Sequence, residues 1–325
     1  MKVQCELCPK ECVIESGQSG ECRVRVNIDG VLRSVVYGYP CSIHIDPVEK
    51  KPLFHFLPGS SILSIATVGC NLHCKNCQNW EISQANPEDE SIAAYSCPPE
   101  KLISLTKANK CPSIAYTYTD PTIYYEYAYD ASKLAKDAGI HTVLVTAGYI
   151  NEQPWKELLK YTDAANIDLK GITDDFYRSV CSATLKPVQN ALVTARAAGV
   201  HVEVTNLVIP TLNDEPEQIR QLARWVKENM GSETPLHFSG FIPRYQMRNL
   251  PPTSLQTLQT AREIGLSEGL DFVYIGNITS REGQNTYCPA CKMLLVERSG
   301  YTILQKNLRD GCCPRCNKQI YGVWK

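Results

Sequence analysis

The chain has 325 residues, a formal net charge of −1 and 43% hydrophobic residues. That balance leaves no basic footprint for nucleic acid or an anionic membrane, and no apolar run is long enough to span a bilayer. Met1–Cys5 does not open a signal peptide, so a soluble, cytoplasmic protein is expected, in which the 16 cysteines favour metal over disulfides.

Residues 1–24 hold Cys5, Cys8, Cys12 and Cys22, with Gly17 and Gly20 between the last two. Four thiols in a stretch this poor in apolar residues suit a metal site that folds the segment. Zinc and an auxiliary iron–sulfur cluster both satisfy the spacing. Arg23–Asn27 and Leu32–Tyr39, joined through Asp29-Gly30, predict a hairpin. From His44 to Gly59, Pro47, Pro52 and Pro58 predict an extended connector. His44, Asp46, Glu49, Lys50 and His55 on it are candidates for an active-site edge or for ties to the next unit.

An apolar run, Ile62–Val68, leads into Gly69-Cys70-Asn71-Leu72-His73-Cys74-Lys75-Asn76-Cys77. Three thiolates at C-x3-C-x2-C can hold three irons of a cubane, and no fourth cysteine follows at ferredoxin spacing. One iron is then left open, and an open metal position is a place for chemistry. A zinc loop completed by a distant cysteine is the alternative. Downstream, strand patterns at 62–68, 113–118, 142–146, 165–169, 201–209, 236–241 and 272–275 alternate with helix-length stretches at 99–109, 121–138, 152–161, 187–198, 214–230 and 253–268. This α/β repeat predicts a parallel sheet closing as a partial or full barrel, with the working face where strands run into loops. The cysteine loop follows the first of these strands. Asp168 and Lys170, two apart on a strand, share one face.

At the C-terminus, Cys288/Cys291 and Cys313/Cys316 form two C-x2-C knuckles, with Cys312 as a rival to Cys313. Met293–Glu297 and Tyr301–Leu304 between them read as strands, and a zinc-ribbon-like unit or an auxiliary cluster is predicted. The expected division is 1–58 for the cysteine-rich unit, hairpin and connector, 59–285 for the barrel and 286–325 for the ribbon.

The cysteine loop resembles the radical S-adenosylmethionine (SAM) superfamily. That resemblance implies a [4Fe-4S] cluster on Cys70, Cys74 and Cys77, with SAM on the open iron. It also implies reductive cleavage to a 5′-deoxyadenosyl radical, hydrogen abstraction from a substrate, and an electron donor such as flavodoxin or ferredoxin. Asn76 replaces the aromatic residue often found before the last cysteine. Asp168-Leu169-Lys170, the Val-Ile-Pro turn before Asn213-Asp214 and the Phe-Ile-Pro segment after strand six are similar to glycyl-radical-enzyme activases such as pyruvate formate-lyase activase. His44-x-Asp-Pro-x-Glu-Lys-Lys-Pro-Leu53 with Cys-Asn-Leu-x-Cys-x-x-Cys-Gln-Asn-Trp resembles the radical SAM enzyme of the AmmeMemoRadiSam system, over nearly the whole chain. These resemblances imply SAM contacts at Asn76, Thr119, Asp120, Asp168, Lys170 and Asn277, with His237 or Tyr245 matching an activase histidine. Implied partners are a glycyl-radical enzyme or Memo-like and AMMECR-type proteins. A multi-zinc scaffold that docks partners and a simple electron carrier are the competing classes. Tyr149, Tyr245, Glu126 and Cys181 are candidates on the substrate side.

Overall fold

The computed structural model describes residues 1–325. Its centre is one eight-stranded sheet: β1 Ser42–Pro47, β2 Ser61–Ala66, β3 Ser113–Tyr116, β4 His141–Thr146, β5 Ala164–Asp168, β6 His201–Val208, β7 Leu236–Gly240 and β8 Val273–Gly276. The strands lie side by side in sequence order, and β8 does not pair back onto β1. β2 to β8 are parallel, and β1 adds antiparallel to β2. The architecture is therefore a partial barrel.

The seven parallel strands fall where the alternating pattern predicts them. β3 and β7 are buried at every residue, as expected for a parallel sheet covered on both faces. The covering helices are α1 Pro99–Ala108, α2 Tyr125–Asp137, α3 Glu152–Leu159, α4 Leu185–Ala197, α5 Pro216–Met230 and α6 Leu255–Ser267. Each turns an apolar stripe inward; on α5 this is Ile219, Leu222, Ala223, Val226 and Met230, the i, i+3, i+4, i+7 spacing of one helical face. Trp155 of α3 is fully interior, and its indole N–H donates to the Ala191 carbonyl of α4 at 2.9 Å.

The expected connector needs correction. Its first part, Ser42–Pro47, is a strand of the main sheet, so the division at residue 58 does not separate two units. Pro47 ends that strand on a sheet edge, where a missing amide donor costs no ladder bond. The hairpin is present but shorter, Arg25–Ile28 with Val31–Ser34, and both Asp29 and Gly30 take positive φ, as a two-residue turn of this kind demands.

The rest of the connector closes the base of the barrel together with the C-terminal ribbon. The ribbon strands are Thr286–Tyr287, Leu294–Ser299 and Thr302–Lys306. Arg298 from the ribbon is 1% exposed; its guanidinium donates to the Phe54 carbonyl at 2.7 Å and lies 4.3 Å from the Phe54 ring centroid. The tail runs beside the connector, with Leu57 N–H on the Val323 carbonyl and Val323 N–H on the His55 carbonyl, both at 2.7 Å.

Candidate active site

Loops at the C-terminal ends of the parallel strands surround a cleft of about 410 Å³. Cys70, Cys74 and Cys77 all line it. Their loop is fixed from three sides. Gly69 N–H donates to the Ile82 carbonyl at 2.9 Å, and Lys75 N–H to the Val180 carbonyl at 2.9 Å. Asn79 Nδ2 donates to the Tyr118 carbonyl at 2.9 Å. The segment Tyr177–Cys181 behind the loop is a π-helical turn, a form that recurs at functional sites.

Across the cleft stand Thr119 and Asp120 from the loop after β3, Asp168 and Lys170 at the end of β5, and Asn277 after β8. Asn76 lines it too, buried, with its Oδ1 unpartnered; Thr205 Oγ1 on β6 is likewise buried, unpartnered and in the lining. Buried polar atoms normally have a partner, so two orphans in the lining of one cleft fit a polar ligand seated in it. Three thiols open to the same space fit an iron–sulfur cluster. The residues therefore suit the cluster and the SAM that the resemblance to the radical SAM superfamily implies.

The individual roles differ from the sequence expectation. Asp120 is already saturated by protein donors. It accepts from Thr122 N at 2.9 Å, Thr146 Oγ1 at 3.0 Å and Ala147 N at 2.7 Å. It straps the loop after β3 to the loop after β4 and shapes the wall. Thr119 Oγ1 donates to the Thr67 carbonyl at 2.9 Å. Lys170 Nζ and Asp168 lie 2.6 Å apart, both partly accessible from the cleft.

His237 is not in the cleft. It is 1% exposed, its Nε2 lies 2.6 Å from Glu203 Oε2, and its ring meets the Phe54 ring edge-on at 4.9 Å. Ser239, two residues on along β7, does line the cleft. The period of two puts both side chains on the inner face, but His237 sits one layer deeper, in a buried group with Glu203, His201, His55 and Tyr274. Tyr245 stacks on Trp80 at 5.3 Å. Glu126 pairs with Arg25 at 2.8 Å, outside the cleft lining.

Sequence reasoning missed Lys51. It lines the cleft beside Lys50, is 2% exposed, and pairs with Asp46 at 2.7 Å; Lys50 takes the other Asp46 oxygen at 2.8 Å. Tyr118 OH donates to the same carboxylate, and the Lys51 ammonium sits 4.2 Å from the Tyr118 ring centroid. Burial, partly offset by Asp46, pulls the Lys51 pKa down to about 8. Asp46 shifts the other way: burial opposes its charge, but two lysines and a phenol hold its pKa well below the usual carboxylate range. Of the other connector candidates, Glu49 is buried and accepts from Gly59 N at 2.8 Å. His55 bridges the Tyr321 carbonyl and Tyr274 OH, both at 2.6 Å. The available signal for Lys51 was its pairing in sequence with Lys50 after a proline that ends a strand.

At the opposite end of the chain, the ligand atoms of Cys288, Cys291, Cys313 and Cys316 lie within 4.8 Å of one another. Cys312 is not in this group; its amide and carbonyl close a turn with Arg309.

The profile of the Radical SAM superfamily matches residues 64–226. The chain belongs to the radical SAM superfamily. It is 46% identical to uncharacterized protein MJ0808 of Methanocaldococcus jannaschii over 98% of this chain and 95% of that one. It is 29% identical to the pyruvate formate-lyase-activating enzyme of Clostridium pasteurianum, over 56% of this chain and 77% of the relative. In fold it is similar to SuiB of Streptococcus suis, with a TM-score of 0.53 at 14% identity over 71% of this chain and 53% of that one. This radical SAM protein is thus an enzyme. Its superfamily implies a [4Fe-4S] cluster and SAM, and the C-terminal cysteine group can take a further metal.

Proposed function

We propose that this radical SAM enzyme reductively cleaves SAM and uses the resulting radical to take a hydrogen atom from a substrate. The observation that carries the proposal is the meeting of Cys70, Cys74 and Cys77 in one cleft with the orphaned polar atoms of Asn76 and Thr205. When bound there, the cluster supplies the electron that splits the C5′–S bond of SAM into methionine and a 5′-deoxyadenosyl radical. Cys70, Cys74 and Cys77 hold three irons. Asn76, Thr119, Asn277 and the Asp168–Lys170 pair bind the polar parts of SAM. Asp120 keeps two of the loops in register. Lys50 and Lys51 line the same cleft, each holding one oxygen of the Asp46 carboxylate. Zinc in the Cys288–Cys316 quartet holds the ribbon against the barrel base.

The relation to a pyruvate formate-lyase-activating enzyme favours a substrate that is a glycine on a partner protein, with this chain as its activase. The motif resemblance to the AmmeMemoRadiSam system supports a second set of partners, Memo-like and AMMECR-type proteins. A flavodoxin or ferredoxin delivers the electrons in either reading, and the reaction is assigned to the cytoplasm. Anaerobic reconstitution with iron and sulfide, followed by reductant and SAM, tests the core of the proposal. 5′-Deoxyadenosine is expected from the native chain and is expected to vanish in Cys70→Ala, Cys74→Ala and Cys77→Ala. Full turnover in any one of them refutes the ligand assignment. Deuterium carried from a glycine-labelled partner into 5′-deoxyadenosine separates the activase reading from a small-molecule one.

A further inference from the structure

Two lysines in the cleft lining share one carboxylate. Asp46 takes Lys50 on one oxygen at 2.8 Å and Lys51 on the other at 2.7 Å. One carboxylate balances one ammonium, so the group is left with a positive charge in excess. The other carboxylates of the lining do not offset it: Asp120 is filled by Thr122, Thr146 and Ala147, and Asp168 is held by Lys170. The Lys50 side chain is 44% accessible and keeps its hydration, whereas that of Lys51 is 2% accessible. A buried charge without its own partner is costly. The least costly relief is for Lys51 to give up its proton and lie in the cleft as a free amine.

Tyr118 covers this amine. The Lys51 nitrogen is 4.2 Å from the ring centroid, and the phenol donates to the same Asp46 oxygen that Lys51 uses. Tyr118 has φ +63°, a left-handed backbone that a bulky side chain adopts at a cost and that clusters at functional sites. Its carbonyl is held at 2.9 Å by Asn79 Nδ2, two residues past Cys77. The cover over Lys51 is thereby tied to the cysteine loop. An ammonium carries three N–H donors, and Asp46 is the one acceptor on Lys51 Nζ. Burial, offset in part by Asp46, brings the Lys51 pKa to about 8, so about one chain in ten holds the free amine at pH 7. A desolvated amine beside a second cation is the arrangement that activates lysine toward carbonyl groups.

We propose that Lys51 forms an imine with the carbonyl carbon of a 2-oxo acid, whose carboxylate pairs with the accessible Lys50. That the imine presents this substrate to the radical rests on the function proposed above; the imine itself does not. Lys51 first gives a proton to solvent. Its nitrogen pair forms the N–C bond while the C=O pair moves onto oxygen. That oxygen takes one proton from the attacking nitrogen and a second from the Lys50 ammonium, and it leaves as water. Lys50 regains a proton from solvent. The product is a protonated imine beside Asp46, with the same charge as the ammonium it replaces, and no electron is gained or lost. A substrate held in this way stays in the cleft while SAM is cleaved, and it is a small molecule rather than a glycine on a partner.

Pyruvate and cyanoborohydride, added anaerobically to the reconstituted chain, test the imine directly. Hydride converts it to a stable carboxyethyl-lysine, and peptide fragmentation places the label on one residue. Lys51 should carry it on the order of tenfold more often than any surface lysine, and Lys51→Arg should lose it. Lys50→Gln should cut the label on Lys51 on the order of tenfold, because Asp46 then balances Lys51 alone and keeps it protonated. No label, label spread evenly over surface lysines, or label on Lys50 in place of Lys51 overturns the inference. If Lys51→Arg does not fold, the position of the label in the native chain still decides. Unchanged label in Lys50→Gln overturns the part given to Lys50. A native chain that makes 5′-deoxyadenosine but takes no label defeats this inference and leaves the proposed function standing; label on Lys51 in a chain that makes none does the reverse.

Discussion

Gly69→Ala probes the junction on which both the cleft and the N-terminal unit depend. Gly69 has φ +90°, and an added Cβ would lie 2.5 Å from a backbone oxygen and 2.7 Å from a buried methyl of Val24. Two costs follow. A side chain at positive φ costs about 1–2 kcal/mol, and forcing a methyl into filled space costs about 1–3 kcal/mol more. The backbone oxygen cannot rotate away, so the N-terminal unit has to shift. A total of about 2–5 kcal/mol is expected for the two terms together. Gly139→Ala is the control, because Gly139 has φ +69° but nothing within 4 Å of the added atom. Only the conformational term applies there, about 1–2 kcal/mol. Urea unfolding of the anaerobically reconstituted chains, followed by tyrosine and tryptophan fluorescence, measures both. Equal destabilisation in the two variants refutes the claim that Cys22 and Val24 press on Gly69. Iron content after reconstitution gives a second readout, with less iron expected in Gly69→Ala, where the strained residue directly precedes Cys70, than in Gly139→Ala.

His237→Asn should lower stability by about 2–4 kcal/mol, by leaving buried Glu203 short of a donor, and should leave SAM affinity within about twofold in equilibrium dialysis. A large loss of SAM affinity at native stability would return His237 to the cleft. Glu203→Gln should be more damaging, about 3–5 kcal/mol, because the carboxylate also accepts Phe54 N–H at 3.0 Å and His55 N–H at 2.7 Å. Lys51 sets a pH dependence. Its pKa is about 8 in the folded chain against 10.5 as the reference, so between those values the unfolded chain holds more protons and folding stability rises with pH. Lys51→Met should remove that rise from urea midpoints taken at increasing pH, and an unaltered profile assigns the rise elsewhere. Cys291→Ser should lose whatever metal the native chain holds at the C-terminal cysteines and expose Trp324, which is 8% exposed beside the ribbon, giving a red-shifted emission spectrum; the same metal content in both chains would contradict the four-cysteine site.

Periodicity carried the seven parallel strands and their helices, because strands covered on both sides read as continuous Val- and Ile-rich runs. The cysteine loop was legible for a related reason: its three cysteines are local in sequence. The strand Ser42–Pro47 was not, since His44 and Ile45 are exposed and the three prolines downstream argue for a connector. Its pairing with β2 is decided by a free sheet edge, which no local pattern records. Depth was hidden as well. Alternation places His237 and Ser239 on one face but does not say that Phe54 and Glu203 fill the layer around the first. Asp120 was found as a wall residue, whereas its saturation by Thr122, Thr146 and Ala147 depends on loops that meet only in three dimensions.

The guanidinium of Arg298, on the ribbon's central strand, joins three parts of the chain: Gln284 just before the ribbon, Thr286 on its first strand, and the Phe54 carbonyl. The last 40 residues or so are therefore not a detachable bead on the end of a finished enzyme. A chain cut after residue 285 would be a vessel without its stopper, with the carboxylate of Glu203 brought within reach of solvent from below. Loss of the ion from the ribbon would reach the cleft by the same route, through the floor.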